Sequence, residues 1–227
     1  MAELIVALDL PDAPSAVALL DRLPERCPVK VGSVLMTRAG SGFVRGLVAN
    51  GHPVFLDLKW HDIPNTVHGA VQAAVDLGVE MVTVHALGGS AMMSAAVTAG
   101  AGQLKVVAVT VLTSHAAADW KGVTGHVPVT VEDEVARLAE LAVAAGVDGV
   151  VCSAHELRRV RPIVGAGRLV VPGIRPAGGD PGDQQRVSTP AAAVAAGATH
   201  LVVGRPIIEA AEPEVAWAAI REEAGEG

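Results

Sequence analysis

Short runs rich in valine, isoleucine and leucine recur along this sequence roughly every 20 to 35 residues, with helical patterns between them. They are Leu4–Asp9, Val29–Ser33, Val54–Lys59, Met81–His85, Lys105–Leu112, Gly149–Ser153, Leu169–Pro172 and Leu201–Gly204. Most are continuously apolar rather than alternating, as parallel strands buried on both faces must be. The segments between them, such as Ala13–Leu23, Val67–Leu77 and Val131–Ala145, are rich in alanine and leucine with polar residues along one side. Gly51, Gly78, Gly146 and Gly197 fall where those helices should stop.

Eight strands, each followed by a helix, are the count of an α/β barrel, so the expected fold is a single (β/α)8 TIM barrel with residues 1–227 as one domain. A doubly wound open sheet would usually have fewer strands and a glycine-rich turn after the first. Here Asp9-Leu10-Pro11-Asp12 follows it instead. A chain of 227 residues, 51% apolar, is long enough for one sizeable core. With no Tyr and only 2 Phe, that core must be built from Ala, Val and Leu.

The formal charge of -7 and the lack of a Lys/Arg-rich run argue against general nucleic-acid binding. A negative protein that binds an anion must concentrate its cations locally. Two cysteines, Cys27 and Cys152, make no disulfide framework and point to a reducing compartment. The opening Met-Ala-Glu-Leu-Ile-Val has no basic region, and no apolar stretch is long enough to span a bilayer. The expectation is a soluble cytoplasmic protein.

Active sites of such barrels are built at the C-terminal ends of the strands. Those ends carry Asp9, Lys30 with Ser33, Asp57 with Lys59, His85, Thr113 with Ser114, Ser153, Arg175, and Gly204 with Arg205. The third strand is the most heavily charged. Side chains two apart in a strand share a face, so Asp57 and Lys59 project together, with Asp62 just past the strand end. Pro64 suits the first turn of the next helix. Lys30, on the adjacent strand ~4.8 Å away, is within reach of Asp57. An alternating row of Lys30, Asp57, Lys59 and Asp62 would give each charge an opposite neighbour, which makes buried charge tolerable.

The segment Asp57-Leu-Lys59-Trp-His-Asp62-Ile63-Pro64-Asn65-Thr66 resembles the signature of the orotidine 5'-monophosphate decarboxylase family. Ala7-Leu8-Asp9, Val29-Lys30-Val31-Gly32, Val111-Leu112-Thr113-Ser114, Pro172-Gly173-Ile174-Arg175, Gly182-Asp183-Gln184 and Val203-Gly204-Arg205-Pro206-Ile207 resemble its other blocks in order, so the likeness spans essentially the whole chain. The resemblance implies decarboxylation of orotidine 5'-monophosphate to uridine 5'-monophosphate, the last step of de novo pyrimidine synthesis, with no cofactor and no metal. It makes Lys59 the proton donor and sets Asp57 near the departing carboxylate. Lys30 orders the row and contacts the ribose, which Asp9 also binds. Asp62 falls with Lys30, Asp57 and Lys59 among the catalytic positions, and Ile63 and Thr66 among the substrate-binding ones. The residues matching Asp62 and Thr66 reach into a partner subunit's site, which implies a homodimer.

Barrels commonly hold phosphate with the loops after strands seven and eight. Arg175 follows the seventh, and Gly204-Arg205 follows the eighth, with Pro206 placed to open a helix. Between them, residues 175–189 are long, polar and glycine-rich, the composition of a mobile lid that should order on nucleotide binding. Thr189-Pro190 reads as a helix cap and first position. The resemblance places Arg175, Gln184 and Arg205 around the phosphate. The hydroxyls of Thr113 and Ser114 can both donate to and accept from a pyrimidine imide edge; which of them does so stays open here.

His61 and His85 lack a ligand spacing for metal and read as structural. Met92-Met93 reads as helix packing, Trp60 as facing the barrel–helix layer, and Cys152 as a core thiol. Two rival readings remain. Magnesium-dependent sugar-phosphate barrels (3-keto-gulonate 6-phosphate decarboxylase, hexulose-phosphate synthase) share an Asp-x-Lys-x-x-Asp element but carry a carboxylate where Lys30 stands. A non-catalytic nucleotide-binding barrel would not need Lys59.

Overall fold

The structure, a computed structural model, describes residues 2–115, 120, 122, 130–176 and 187–225. Eight parallel strands close into a barrel in sequence order: β1 (Glu3–Ala7), β2 (Val29–Gly32), β3 (Val54–Trp60), β4 (Met81–His85), β5 (Lys105–Val109), β6 (Gly149–Val151), β7 (Arg168–Val171) and β8 (His200–Val203). Closure is made by β1 against β8, with Leu4 opposite Leu201 and Val6 opposite Val203. This is the (β/α)8 barrel expected from the eight apolar runs.

The two-residue period of each strand divides the core into two layers. Ile5, Ala7, Phe55, Met81, Val107, Val170 and Val202 point inward and fill the barrel. Leu4, Val6, Leu8, Leu56, Val82, Val84, Leu169 and Leu201 point outward and pack beneath the helices. Each such Val or Leu removed from water stabilises the fold by about 1.5–3 kcal/mol. The small residues of this chain thus suit both layers, and Phe55 is the one large ring inside the barrel cluster.

Helices begin and end where the local chemistry directs. The helix Pro64–Leu77 starts earlier than the expected Val67, because Pro64 occupies the first turn and the Ile63 carbonyl accepts from the Thr66 and Val67 N–H groups. Its end is set by Gly78 at φ 77°. Thr189 caps the helix Pro190–Ala195 by accepting from the Ala192 N–H at 3.2 Å. Strand β5 stops at Val109 rather than Leu112, because its neighbour β6 ends at Val151, the residue opposite Val109. Among the described residues, no helix is long and apolar enough to cross a membrane.

Candidate active site

The site grows from an irregularity in β3. Leu56 pairs with Val82, but the next pairing is Trp60 with Val84, so the strand bulges between them. Within the bulge Lys59 adopts φ 51°, a left-handed conformation that costs a residue with a Cβ about 1 kcal/mol. The bulge keeps Asp57 and Lys59 on one face and re-aims the lysine into the barrel mouth.

Both lysines converge on one oxygen. Lys59 Nζ lies 2.8 Å from Asp57 Oδ2, and Lys30 Nζ lies 3.6 Å from the same atom. Lys30 also bonds Asp9 Oδ1 at 2.9 Å. Thr83, fully buried on β4, donates to Asp57 Oδ1 at 3.0 Å and accepts the Lys59 N–H at 2.8 Å. Burial alone would push the Asp57 carboxyl upward. Lys30 and Lys59, with hydrogen bonds from Lys59 and Thr83, outweigh it and hold that carboxyl below its usual range. The row in one chain is therefore Asp9–Lys30–Asp57–Lys59.

Within one chain that row differs from the one read from the sequence, which ran from Lys30 to Asp62. Asp62 is exposed, and its Oδ1 accepts the N–H of Ile63 at 2.6 Å. The bulge at Lys59 and the end of β3 at Trp60 carry the chain away from the mouth before Asp62 is reached. Ile63 and Thr66 are exposed beside it, Ile63 to 65%.

A cavity of about 500 Å³ opens over this row. Of the residues expected at the site, Asp9, Lys30, Asp57, Lys59, Thr113, Arg175, Gly204 and Arg205 line it. Asp62, Ile63, Thr66 and the exposed Ser114 do not. Glu209, which the sequence reading missed, does; nothing in its local pattern distinguishes it from a surface glutamate. Four cationic side chains against three carboxylates thus line one mouth of a chain with formal charge -7. Arg175 is buried and its Nη1 donates to the Ile174 carbonyl at 2.8 Å. Ile174 forms a parallel bridge with Ser188, so both ends of the 175–189 segment are held at the cavity's edge. Gln184 lies outside the described residues, as do residues 177–186 of that segment and most of the loop 114–127.

Gly32 is a second position that sequence reading missed. A Cβ there would stand 3.1 Å from Lys30 Nζ and 3.3 Å from Asp9 Oδ1, so the absent side chain leaves room for the ion pair. His61 and His85 stack with ring centroids 5.5 Å apart. Burial, followed by the neighbouring His61, Lys59 and His115, pushes His85 down to about 4, and its Nδ1 accepts the Leu87 N–H at 3.3 Å. Among the described residues, no cluster of three or more His, Cys, Asp or Glu could hold a metal ion. Met92, Met93 and Cys152 are fully buried in the core, and Trp60 packs on the barrel–helix layer.

A parallel eight-stranded barrel whose mouth sets two lysines on one buried aspartate, flanked by two arginines, defines the class of protein. Within that class the chain belongs to the orotidine 5'-phosphate decarboxylase / HUMPS family, whose pattern it matches over residues 2–220. It is 56% identical over 225 residues to the orotidine 5'-phosphate decarboxylase of Halorhodospira halophila, covering 97% of this chain and 94% of that one. It is 55% identical over 225 residues to the protein of the same name from Alkalilimnicola ehrlichii, covering 97% and 95%. A crystal structure of orotidine 5'-phosphate decarboxylase from Lactobacillus acidophilus superposes with a TM-score of 0.88 at 36% identity, covering 99% of both chains.

Proposed function

We propose that this protein decarboxylates orotidine 5'-monophosphate to uridine 5'-monophosphate and carbon dioxide, the final step of pyrimidine nucleotide synthesis. The observation that carries the reading is the convergence of Lys30 and Lys59 on Asp57 Oδ2 at the floor of an otherwise cation-rich cavity. The relatives that bear this activity in their names support it.

In this reading Arg175 and Arg205, with Gln184 and the Gly204 backbone, take the phosphate, Arg205 in the bidentate fashion open to a guanidinium. Asp9 and Lys30 bind the ribose, and Thr113, which lines the cavity, contacts the base. The substrate carboxylate then lies against Asp57 and Lys59. The C6–carboxylate bond breaks, carbon dioxide leaves, and the electron pair stays on C6. Lys59 delivers a proton to that carbon and is reprotonated from solvent.

Two like charges ~4 Å apart at an effective dielectric of ~20 repel by about 4 kcal/mol, so Asp57 against the substrate carboxylate supplies roughly a thousandfold. Very slow uncatalysed reactions demand stabilisation of order 20 kcal/mol. The larger share therefore falls to attraction between the fixed Lys59 ammonium and the developing carbanion, with binding energy from the phosphate end. The chemistry calls on no cofactor.

The exposed Asp62, Ile63 and Thr66 fit a homodimer in which Asp62 and Thr66 complete the neighbouring subunit's site, Ile63 being an apolar residue with no cover in one chain. The test is to add orotidine 5'-monophosphate with excess chelator and follow the pyrimidine absorbance. Decarboxylation that persists is the expected result. Activity lost to the chelator would move the protein to the magnesium-dependent sugar-phosphate branch. Nucleotide binding without turnover would leave a non-catalytic barrel.

A further inference from the structure

The β3 bulge leaves three residues, Asp57, Leu58 and Lys59, standing against the single residue Thr83 between the paired positions Leu56–Val82 and Trp60–Val84. A bulge of this kind takes a backbone N–H out of the strand ladder. Here the N–H withdrawn belongs to Lys59, and the Thr83 hydroxyl accepts it at 2.8 Å. A hydroxyl has one proton to give, and Thr83 directs it to Asp57 Oδ1 at 3.0 Å. The two lysines occupy the other oxygen of that carboxylate. The hydroxyl is fully buried, so no solvent molecule substitutes for it from outside.

We propose that Thr83 is a positioning residue for the reaction: its hydroxyl ties the backbone of the proton donor to the carboxylate that faces it, and so fixes where the Lys59 ammonium stands. This rests on the assignment of Lys59 as the proton donor. The hydrogen-bond direction admits one arrangement, because a main-chain N–H can only donate and an ionised carboxylate can only accept. The hydroxyl therefore does two things. It holds the N–H of Lys59 within its left-handed turn, and it favours the ionised form of Asp57, which keeps both lysines paired with it. Valine fills the same space and suits the strand equally well, so packing and strand propensity do not require a hydroxyl at this position.

The test compares Thr83→Val, Thr83→Ser and Lys59→Ala on orotidine 5'-monophosphate. Thr83→Val is expected to lose about ten- to a hundredfold in kcat, the cost of a small misplacement of a reacting group, with KM changed less than about threefold. The acid limb of its pH profile should move to higher pH, because Asp57 loses a bond that favours its ionised form. Thr83→Ser should recover most of kcat and the original limb. A merely structural role would move neither the limb nor kcat apart from KM. Wild-type turnover in Thr83→Val, alongside an inactive Lys59→Ala, would overturn the inference while leaving the assignment of Lys59 intact. Wild-type turnover in Lys59→Ala would instead overturn that assignment and this inference with it. Should Thr83→Val fail to fold, Thr83→Ser against Thr83→Cys carries the comparison, since the two match in shape and differ in hydrogen bonding. Equal turnover in that pair would overturn the inference.

Discussion

Both ends of this barrel carry charge, but they handle it differently. At the N-terminal end the contacts are local: Glu3 meets His200 Nε2 at 3.3 Å and lies near Arg168, and Lys105 pairs with Asp148 at 3.2 Å. Asp148 also accepts the Val106 N–H at 2.9 Å, which anchors the start of β5. At the C-terminal end two lysines share one oxygen of Asp57, and Lys30 and Asp57 are far more buried than Lys105 and Asp148. One end uses charge to finish strands. The other gathers four cationic side chains and three carboxylates around one cavity.

Four changes would break or sharpen this contrast. The largest effect belongs to Lys59→Ala, expected to lose at least about a thousandfold in turnover of orotidine 5'-monophosphate, whereas Lys105→Ala at the opposite end should change stability by under about 1 kcal/mol and leave turnover alone. If Lys59→Ala lost no more turnover than Gln184→Ala, the ranking of carbanion attraction above the phosphate contacts would be wrong. Asp57→Asn comes next. It should cost turnover about a hundred- to a thousandfold, and stability about 3 kcal/mol, because Lys30 is left buried with Asp9 alone; steady-state assays and urea titrations read the two losses separately. Gly32→Ala, whose new Cβ would press on Lys30 Nζ and Asp9 Oδ1, should lower turnover about tenfold with a small change in stability.

The smallest effect is one of pH. His85 is held down to about 4 from 6.5, so between those values the unfolded chain binds a proton that the folded chain refuses. Stability should accordingly fall as pH is lowered from 6.5 towards about 4, with no further loss from this ring below that. His85→Asn, which keeps an acceptor for the Leu87 N–H, should flatten that part of the profile in urea titrations. An unchanged slope would assign it to other groups.

The barrel was legible because its strands are buried on both faces, which writes them as uninterrupted apolar runs. Met81–His85 matches at both ends for that reason. Asp57 and Lys59 were legible because charge at alternate positions in such a run has few explanations. The place of Asp62 outside the charge row of its own chain has a local cause. Asp62 follows Lys59 by only three residues, which in sequence sets it beside the mouth, whereas the left-handed turn at Lys59 directs the chain elsewhere. Thr83 stayed hidden because threonine is a good strand former, and its partners lie across a bulge that only the pairing of β3 with β4 reveals. Gly32 and Glu209 are placed at the site by what surrounds them in space, which no local pattern records.

The account rests on charge that acts on the transition state more than on the bound nucleotide. The most direct test is to measure, on one preparation of Lys59→Ala, both kcat with orotidine 5'-monophosphate and the Kd of uridine 5'-monophosphate. The account predicts turnover down by at least about a thousandfold with nucleotide affinity within about threefold of wild type. Affinity that collapses in step with turnover, or turnover that survives, would contradict it.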